Sequence, residues 1–169
     1  MFGLIMILIA IGSNQPHPEF GHSLKVCDAA IDAIEASDCK VLARSRWFQS
    51  APVPASDQPD FVNGVISVQT RLEADALLKL LHEIESRFDR VRSELNTART
   101  LDLDLIDYNY MVNGGPTSPL LPHPRMAGRA FVLRPLQDVA PAWRHPNMGE
   151  TLAMLIAALP EDQICTPID

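Results

Sequence analysis

Within residues 99–107, which read RTLDLDLID, polar and hydrophobic residues alternate strictly over 100–105. Successive side chains of a β-strand point to opposite faces, so this pattern predicts a strand whose three leucines share one face. Asp102 and Asp104 then share the other face, with their Cβ atoms about 7 Å apart. The leucine face can be buried against a core, and the strand therefore presents a pair of carboxylates on its second face.

The two carboxylates are close enough to repel each other unless a cation lies between them or one of them keeps its proton. Mg²⁺ is a hard cation that accepts one or two protein carboxylates and takes its other ligands from water and substrate phosphate. The pair therefore indicates a metal-bearing strand of a phosphoryl-transfer site. The pattern alone leaves one alternative open, a half-exposed edge strand whose aspartates merely keep it soluble.

Hydrophobic periodicity predicts five further elements upstream of this strand. They are a strand over 5–11, a helix from 22 or 23 to about 36, a strand over 41–48, a strand over 61–70 and a helix over 73–88. The order βαββαβ predicts an α+β, ferredoxin-like fold, in which an antiparallel four-stranded sheet carries both helices on one face. After residue 110, a short apolar segment (128–136) and a last helix (150–159) are available to cover the other face.

Asn63 lies on the polar side of the predicted strand over 61–70, together with Phe61. A buried amide must find hydrogen-bond partners, because an unsatisfied polar group is rare in a protein interior. Two interpretations stay open: the amide bonds neighbouring backbone, or it recognises a planar ligand with matching donors and acceptors. The preceding stretch, 49–60, holds three prolines and predicts a long ordered loop of the kind that often carries function.

At 169 residues the chain is predicted to form one domain, over 1–169, with a core of ordinary size. Its formal net charge of −7 argues against non-specific binding to nucleic acid or to an anionic membrane. Eleven of the 14 cationic residues are arginine, and eight of those lie between Arg87 and Arg144. Arginine matches phosphate oxygens in pairs, so this part of the chain predicts a local anion site, with surface ion pairs as the alternative.

Three cysteines without a C-x-x-C spacing argue against a disulfide framework and against a structural zinc site. They favour a reducing compartment, and we expect a cytoplasmic protein. The apolar opening over 1–12 has neither a basic region nor a small-residue cleavage pattern, so we expect a buried strand there rather than a signal peptide. The sequence also contains no P-loop and no G-x-G-x-x-G motif.

Two carboxylates, several arginines, an amide and aromatic rings together suit the metal-assisted transfer of a phosphate group to a planar acceptor. His123 belongs to this set by its position, because Arg125 and Arg129 follow it closely. The alternative for His123 is an ordinary exposed loop residue.

Five segments resemble, in chain order, the signature of the 6-hydroxymethyl-7,8-dihydropterin pyrophosphokinase family. They are IAIGSN (9–14), QPDFVN (58–63), RVR (90–92), RTLDLD (99–104), and PHPRM leading to RAFVL (122–133). Together they cover the chain from about residue 7 to residue 136, and five matches in order are more specific than any one of them. The resemblance implies the same ferredoxin-like fold that the periodicity predicts.

The resemblance also implies an activity. An enzyme of this family moves the β,γ-pyrophosphoryl group of ATP to the hydroxymethyl oxygen of the pterin and releases AMP, a step of folate biosynthesis. Two Mg²⁺ ions are then expected on Asp102 and Asp104, with ATP as the co-substrate. The expected partners are these small molecules, without nucleic acid or membrane, and the monomer is the favoured state.

Site residues follow from the same resemblance. The pterin is expected to stack between Phe61 and Phe131, with Asn63 on its amide edge and backbone groups near Ser50 and Val53 helping to hold it. The phosphates and ribose of the nucleotide are expected to contact Glu85, Arg90, Arg92, Arg99, His123 and Arg129. The catalytic residues expected are Asp102, Asp104, Arg90 and Arg99. No general base is assigned.

The chain departs from some family members in the loop before the aspartate strand, where they carry a lysine and a tryptophan. Ser93 and the stretch 96–98 (NTA) stand in that region here, so no contact is assigned to them. Two alternatives to the pyrophosphokinase remain, because one fold hosts many functions. One is a non-enzymatic small-molecule-binding domain of the same fold, and the other is a divergent member that acts on another fused-ring alcohol.

Overall fold

The computed structural model describes residues 5–88, 100–116 and 118–168. Within them the chain forms six strands, four α-helices and one short 3₁₀ turn, and none of these helices has the length and apolar character needed to cross a membrane. In chain order the elements are β1 (Ile7–Ser13), α1 (Ser23–Glu35), β2 (Cys39–Arg44), β3 (Phe48–Ser50), β4 (Phe61–Thr70), α2 (Ala74–Arg87), β5 (Asp102–Tyr108), the 3₁₀ turn (Met126–Gly128), α3 (Ala130–Val139), α4 (Leu152–Ala157) and β6 (Cys165–Pro167).

One antiparallel sheet contains all six strands, in the order β5-β1-β4-β3-β6, while β2 pairs with the other half of β4. The ferredoxin-like arrangement is confirmed, because β5, β1 and β4 lie side by side as the βαββαβ order requires. The sheet is larger than the four strands predicted. The short strand β6 adds to its edge by pairing with β3.

The strand predicted over 41–48 is broken into two pieces, β2 and β3, which lie one after the other along β4. The break occurs where Ser45 bonds Val65 twice. Its N–H donates to the Val65 carbonyl at 2.9 Å, and its hydroxyl accepts from the Val65 N–H at 3.0 Å. The indole of Trp47 fills the space beside Gly64, where an added Cβ would lie 2.5 Å from the ring. The Ser45 hydroxyl therefore replaces one backbone acceptor of the strand ladder at the break.

The face of the sheet that α1 and α2 cover holds the larger core. The alternation of β5 is confirmed here, because Leu101, Leu103 and Leu105 are all buried in this core. The predicted apolar stripe of α2 packs onto the same side through Leu77, Leu81, Ile84 and Phe88. Each fully buried leucine contributes about 1.5–3 kcal/mol relative to an exposed one, so this face supplies much of the folding free energy.

A second, smaller core lies on the opposite face, where Leu8, Val65 and Ile106 of the sheet meet Trp143 and the last two helices. The segment 128–136, predicted only as a short apolar stretch, forms most of the helix α3. The last helix was predicted over 150–159 and is shorter, because α4 spans Leu152–Ala157. As predicted, the C-terminal elements cover part of this face.

A β-bulge ends the alternation of β5. Ile9 of β1 lies opposite Leu105, but the next residue, Leu8, lies opposite Asp107, so Ile106 is the extra residue. Ile106 and Asp107 both face the second core, where the Asp107 carboxylate accepts from the Trp143 indole N–H at 2.7 Å. Burial raises the pKa of this carboxyl group, and the hydrogen bonds that it accepts oppose that rise.

Candidate active site

A glycine lies at the centre of the polar face. In the register of the sheet, Gly12 of β1 is opposite Asp102 on one side and opposite Asn63 on the other. Because paired residues of neighbouring strands point to the same face, Asp102 and Asn63 flank Gly12 at a separation of about 10 Å, two strand spacings. A Cβ added to Gly12 would lie 3.2 Å from the Asn63 Oδ1 and 4.0 Å from the Phe61 ring. The glycine therefore leaves the floor of the site open.

Asp104 lies one pair further along the same face, opposite the small side chain of Ala10. Asp102 and Asp104 are both partly exposed, as the alternation predicts, and the Asp104 side chain is 32% exposed. The His123 Nε2 lies 3.9 Å from the Asp104 Oδ2, which is an ion-pair distance but too long for a hydrogen bond. The two aspartates and the histidine thus meet at one side of Gly12.

His123 is held by its own backbone and by the turn that follows it. Its N–H donates to the Ile106 carbonyl at 2.8 Å, and its Nδ1 accepts from the Arg125 N–H at 3.2 Å. Burial, helped by the positive charges of Arg129 and Arg125, lowers the pKa of the imidazole to about 4, while the charge of Asp102 opposes this shift. The ring is therefore neutral at pH 7. Because Nδ1 is an acceptor, the proton lies on Nε2, which faces Asp104.

Arg129 reaches the same region from the start of α3. Its guanidinium carbon lies 5.3 Å from the centroid of the Phe131 ring, a cation–π distance. Its positive charge lowers the pKa of the His123 imidazole. The second core carries α3, and Phe131 packs against that core, so the guanidinium extends from a rigid element.

Asn63 finds its partner in a side chain rather than in the backbone. Its Nδ2 donates to the Ser50 hydroxyl at 2.8 Å, and both residues are buried. Ser50 lies on β3 opposite Phe61, in the register of the sheet. This bond fixes the plane of the amide, and its oxygen then lies beside Gly12.

The loop before β4 is tied to the end of β1. The buried Asn14 donates through Nδ2 to the Gln58 Oε1 at 3.1 Å and to the Pro59 carbonyl at 3.2 Å. Val53, in the outer part of this loop, is 44% exposed. The asparagine of the IAIGSN segment thus holds the part of the loop nearest Phe61, whereas Val53 lies at the surface.

Glu85 occupies a different place from the other predicted site residues. It lies on the buried side of α2, is 1% exposed, and its Oε1 accepts from the Leu103 N–H at 2.8 Å. That amide belongs to the residue between Asp102 and Asp104, so the carboxylate holds the strand from which both aspartates project. A direct contact of Glu85 with the nucleotide stays a prediction.

Three predicted nucleotide ligands, Arg90, Arg92 and Arg99, lie outside the described residues. Sequence reasoning missed the role of Gly12, although a glycine inside a strand is a known sign of close approach by a ligand or backbone. It also missed the structural role of Glu85. The signal was available there, because Glu85 follows Leu81 by four residues and so falls on the apolar stripe of α2.

The donor set fits Mg²⁺. No group of three or more His, Cys, Asp or Glu side chains able to hold a metal ion is found among residues 5–88, 100–116 and 118–168. Mg²⁺ does not require such a cage, because it commonly binds one or two carboxylates and fills its octahedron with water and substrate phosphate. Asp102 and Asp104 offer two such oxygen donors on one partly open face. Fold and side chains together define a ferredoxin-like domain with a polar, carboxylate-bearing sheet face.

Comparison with known proteins identifies the family. Residues 8–141 match the family model described as 7,8-dihydro-6-hydroxymethylpterin-pyrophosphokinase (HPPK), and the chain therefore belongs to that family. A 2-amino-4-hydroxy-6-hydroxymethyldihydropteridine pyrophosphokinase of Pseudomonas aeruginosa is 38% identical over 159 residues, which are 94% of each chain. The match confirms the predicted family.

Other relatives are longer than this chain. The folic acid synthesis protein fol1 of Pneumocystis carinii is 35% identical over 147 residues, which are 87% of this chain and 19% of that protein. A crystal structure of Plasmodium falciparum HPPK-DHPS superposes with a TM-score of 0.70 at 13% identity, over 90% of this chain and 44% of that one. The chain thus spans about a fifth of the Pneumocystis protein and less than half of the Plasmodium protein. The similarity to the Plasmodium structure concerns the fold alone.

Proposed function

We propose that this chain, as one domain, transfers the pyrophosphoryl group of ATP to the hydroxymethyl group of 6-hydroxymethyl-7,8-dihydropterin and releases AMP. Membership of the family supports the reaction. The observation that carries the proposal is the row across the sheet, in which Asp102 and Asn63 flank the open floor at Gly12. One end of the row suits a metal-bound phosphate chain, and the other suits a planar ring with an amide edge.

Asp102 and Asp104 would hold magnesium, and we keep the expectation of two ions. The metal, when bound, supplies positive charge that neutralises the triphosphate as the bond to Pβ breaks. The protein cannot supply that charge by its overall composition, because its net charge is −7. Local cations must therefore do so, and the arginines of the second half of the chain are the protein's own contribution.

On the nucleotide side, Arg129 is proposed as a phosphate ligand together with Arg90, Arg92 and Arg99. His123 is proposed as a neutral hydrogen-bond donor, which its lowered pKa and its bound Nδ1 support. A neutral imidazole donates through Nε2 without adding a charge that would compete for the aspartates.

On the pterin side, Asn63 is proposed to read the amide edge of the ring, and Ser50 to hold the Asn63 amide in the orientation required. Phe61 and Phe131 are proposed to stack on the two faces of the ring. The backbone near Val53 remains a further predicted contact. The buried Asn63–Ser50 bond supports this assignment, because a preorganised amide loses little freedom when a ligand binds.

The acceptor is a neutral alcohol, and phosphoryl-type transfers pass through loose transition states that need little nucleophilic assistance. Placing the hydroxymethyl oxygen in line with Pβ therefore accounts for most of the work asked of the protein. We assign no general base. The proposed partners are two small molecules, the proposed state is a monomer, and a cytoplasmic location stays a prediction.

The decisive experiment is product analysis. Protein, ATP, Mg²⁺ and 6-hydroxymethyl-7,8-dihydropterin are incubated, and nucleotides and pterins are separated by chromatography. AMP and the pterin diphosphate are expected in equal amounts, and a chelator should stop both until Mg²⁺ is restored. Formation of ADP would contradict pyrophosphoryl transfer, and binding of the pterin without any turnover would favour a binding domain instead.

A further inference from the structure

The segment that follows α4 carries one side chain that bonds the backbone on both sides of Arg129. The Gln163 Nε2 donates to the Gly128 carbonyl at 2.9 Å, and its Oε1 accepts from the Ala130 N–H at 2.9 Å. These two groups belong to the residues immediately before and after Arg129. A single amide therefore spans the residue that begins α3 and carries the proposed phosphate ligand.

The backbone at this position needs such a partner. Arg129 is the residue that precedes α3, with extended backbone dihedrals (φ −118°, ψ 110°), and its own side chain makes no capping bond. The first N–H groups of a helix have no partner within the helix. Gln163, 33 residues along the chain, supplies the acceptor for the first of them and also satisfies the last carbonyl of the 3₁₀ turn.

The same segment also contacts the pterin side of the site. Immediately after Gln163 and Ile164, β6 pairs with β3, and Cys165 lies opposite Ser50. Ser50 is the residue that accepts the hydrogen bond from Asn63. The Ile168 N–H then donates to the Trp47 carbonyl at 2.8 Å. The segment is thus anchored to the strand edge at one end and bonded to the start of α3 through Gln163.

We infer that Gln163 is a positioning residue for nucleotide binding, which acts by fixing the backbone from which the Arg129 guanidinium projects. The inference rests on the proposed role of Arg129 as a phosphate ligand. Gln163 lies beyond residue 141, where the match to the family model ends. It is therefore a feature of this chain's C-terminal segment and not of the matched family signature.

The test compares Gln163→Met, which keeps the length of the side chain but removes both hydrogen bonds, with Glu161→Ala, an exposed change two residues away in the same segment. Loss of the two bonds is expected to raise KM for ATP about fivefold and to leave KM for the pterin within about twofold. Glu161→Ala should leave both constants unchanged. If Gln163→Met does not fold, Gln163→Glu keeps the acceptor at the start of α3 and should raise KM for ATP in the same direction.

A double-mutant cycle with Arg129→Ala separates this inference from the proposed function. If Gln163 acts through Arg129, Gln163→Met should have no further effect on KM for ATP once Arg129 is absent. An equal effect in both backgrounds would overturn the inference, and so would a wild-type KM in Gln163→Met when Arg129→Ala alone raises it. If Arg129→Ala itself left KM for ATP unchanged, the assignment of Arg129 under the proposed function would be wrong.

Discussion

The two faces of the sheet are made by the same strands but are used differently. The face under α1 and α2 is predominantly apolar, and the leucines of β5 and the isoleucines of β1 are buried in one continuous core. The opposite face changes character along the strands. Near Gly12 it carries Asp102, Asp104 and Asn63, whereas near Leu8 and Ile106 it is covered by α3, α4 and Trp143.

The difference shows how a rigid site can be built on a strand. Alternation allows each residue of β5 to serve one face without disturbing the other. The leucines fix the position of the backbone, and the aspartates then project from a backbone that does not have to be ordered when a ligand binds. Side chains placed on strands of a packed core are held more accurately than side chains on loops. The consequence is that activity and stability should respond separately to changes on the two faces.

The largest difference between the effect on activity and the effect on stability is expected for Asp104→Ala. Because Asp104 is a proposed ligand of the magnesium that neutralises the triphosphate, its removal is expected to lower kcat/KM about a thousandfold, the scale for loss of a preorganised electrostatic group. The free energy of unfolding should change by less than about 1 kcal/mol, because the side chain is partly exposed. AMP formation and urea unfolding measure the two effects. Asp32→Ala, an exposed aspartate of α1, is the control, and a loss of activity there as large as in Asp104→Ala would contradict the assignment.

Leu103→Ala should give the reverse result. The side chain is 1% exposed in the helix-face core, and truncation of a buried leucine typically destabilises a protein by about 2–5 kcal/mol. At a urea concentration where the variant is still folded, its kcat/KM should fall far less than that of Asp104→Ala. If Leu103→Ala reduced activity as strongly while the protein remained folded, the independence of the two faces would be wrong.

Gly12→Ala tests the open floor between the two ends of the site. The added methyl group would lie 3.2 Å from the Asn63 Oδ1, which is tighter than ordinary contact, so the amide must shift. KM for the pterin is expected to rise about tenfold, the effect of losing one good hydrogen bond, while KM for ATP stays within about twofold. Gly114→Ala is the matched control, since nothing lies within 4 Å of its added Cβ. Equal values of KM for the pterin in the two variants would place the ring elsewhere.

The smallest effect is expected at an ion pair outside both cores. Arg46 donates two side-chain hydrogen bonds to Asp138 of α3, at 2.9 and 3.0 Å, and these bonds hold the pKa of the Asp138 carboxyl below its ordinary value. Because the pKa is lower in the folded state, the pair stabilises the protein above about pH 4, and this contribution is lost as the pH falls through the lowered pKa. The Arg46 side chain is 63% exposed, so the contribution should stay below about 1 kcal/mol.

Asp138→Asn measures that contribution. The free energies of unfolding of the wild type and the variant should differ slightly at pH 7 and converge as the pH falls below the lowered pKa of Asp138, with unchanged kcat/KM at pH 7. A difference that grew on acidification would have the wrong sign. A change in activity would mean that α3 transmits strain from this pair to Arg129.

Local patterns in the sequence predicted the features that depend on neighbouring residues. The strand period of two was enough to place Asp102 and Asp104 on one face and the leucines of β5 on the other. The resemblance to a family supplied the functional roles, which no periodicity contains. The break between β2 and β3 depends on Ser45 meeting Val65 across the sheet, 20 residues away. Such a long-range pairing does not change the local pattern of hydrophobic and polar residues, so that pattern cannot predict it.

Long-range side-chain bonds explain the other features that were missed. Gln163 bonds residues 33 and 35 positions earlier, and Trp143 bonds Asp107 across 36 positions. Neither residue type predicts such a partner by itself. The edge strand β6 has three residues, which is too short for its period to be recognised. Glu85 is an intermediate case, because its position on an apolar helical stripe indicated burial but not which backbone group it binds.

The extra residue at Ile106 determines which of the two cores the Asp107 side chain enters. The residues of β5 before Ile106 and those after it alternate in opposite phase. The Asp107 side chain therefore faces the Trp143 indole instead of the larger apolar core. Deleting Ile106 would restore the plain alternation after Leu105 and leave Asp107 opposite Leu8, facing Trp143, with Asp102 and Asp104 unchanged. With Ile106 present and no bulge, the plain alternation would instead turn the Asp107 carboxylate among the leucines of the larger core, away from the Trp143 indole, so the bulge protects stability without involving Asp102 or Asp104.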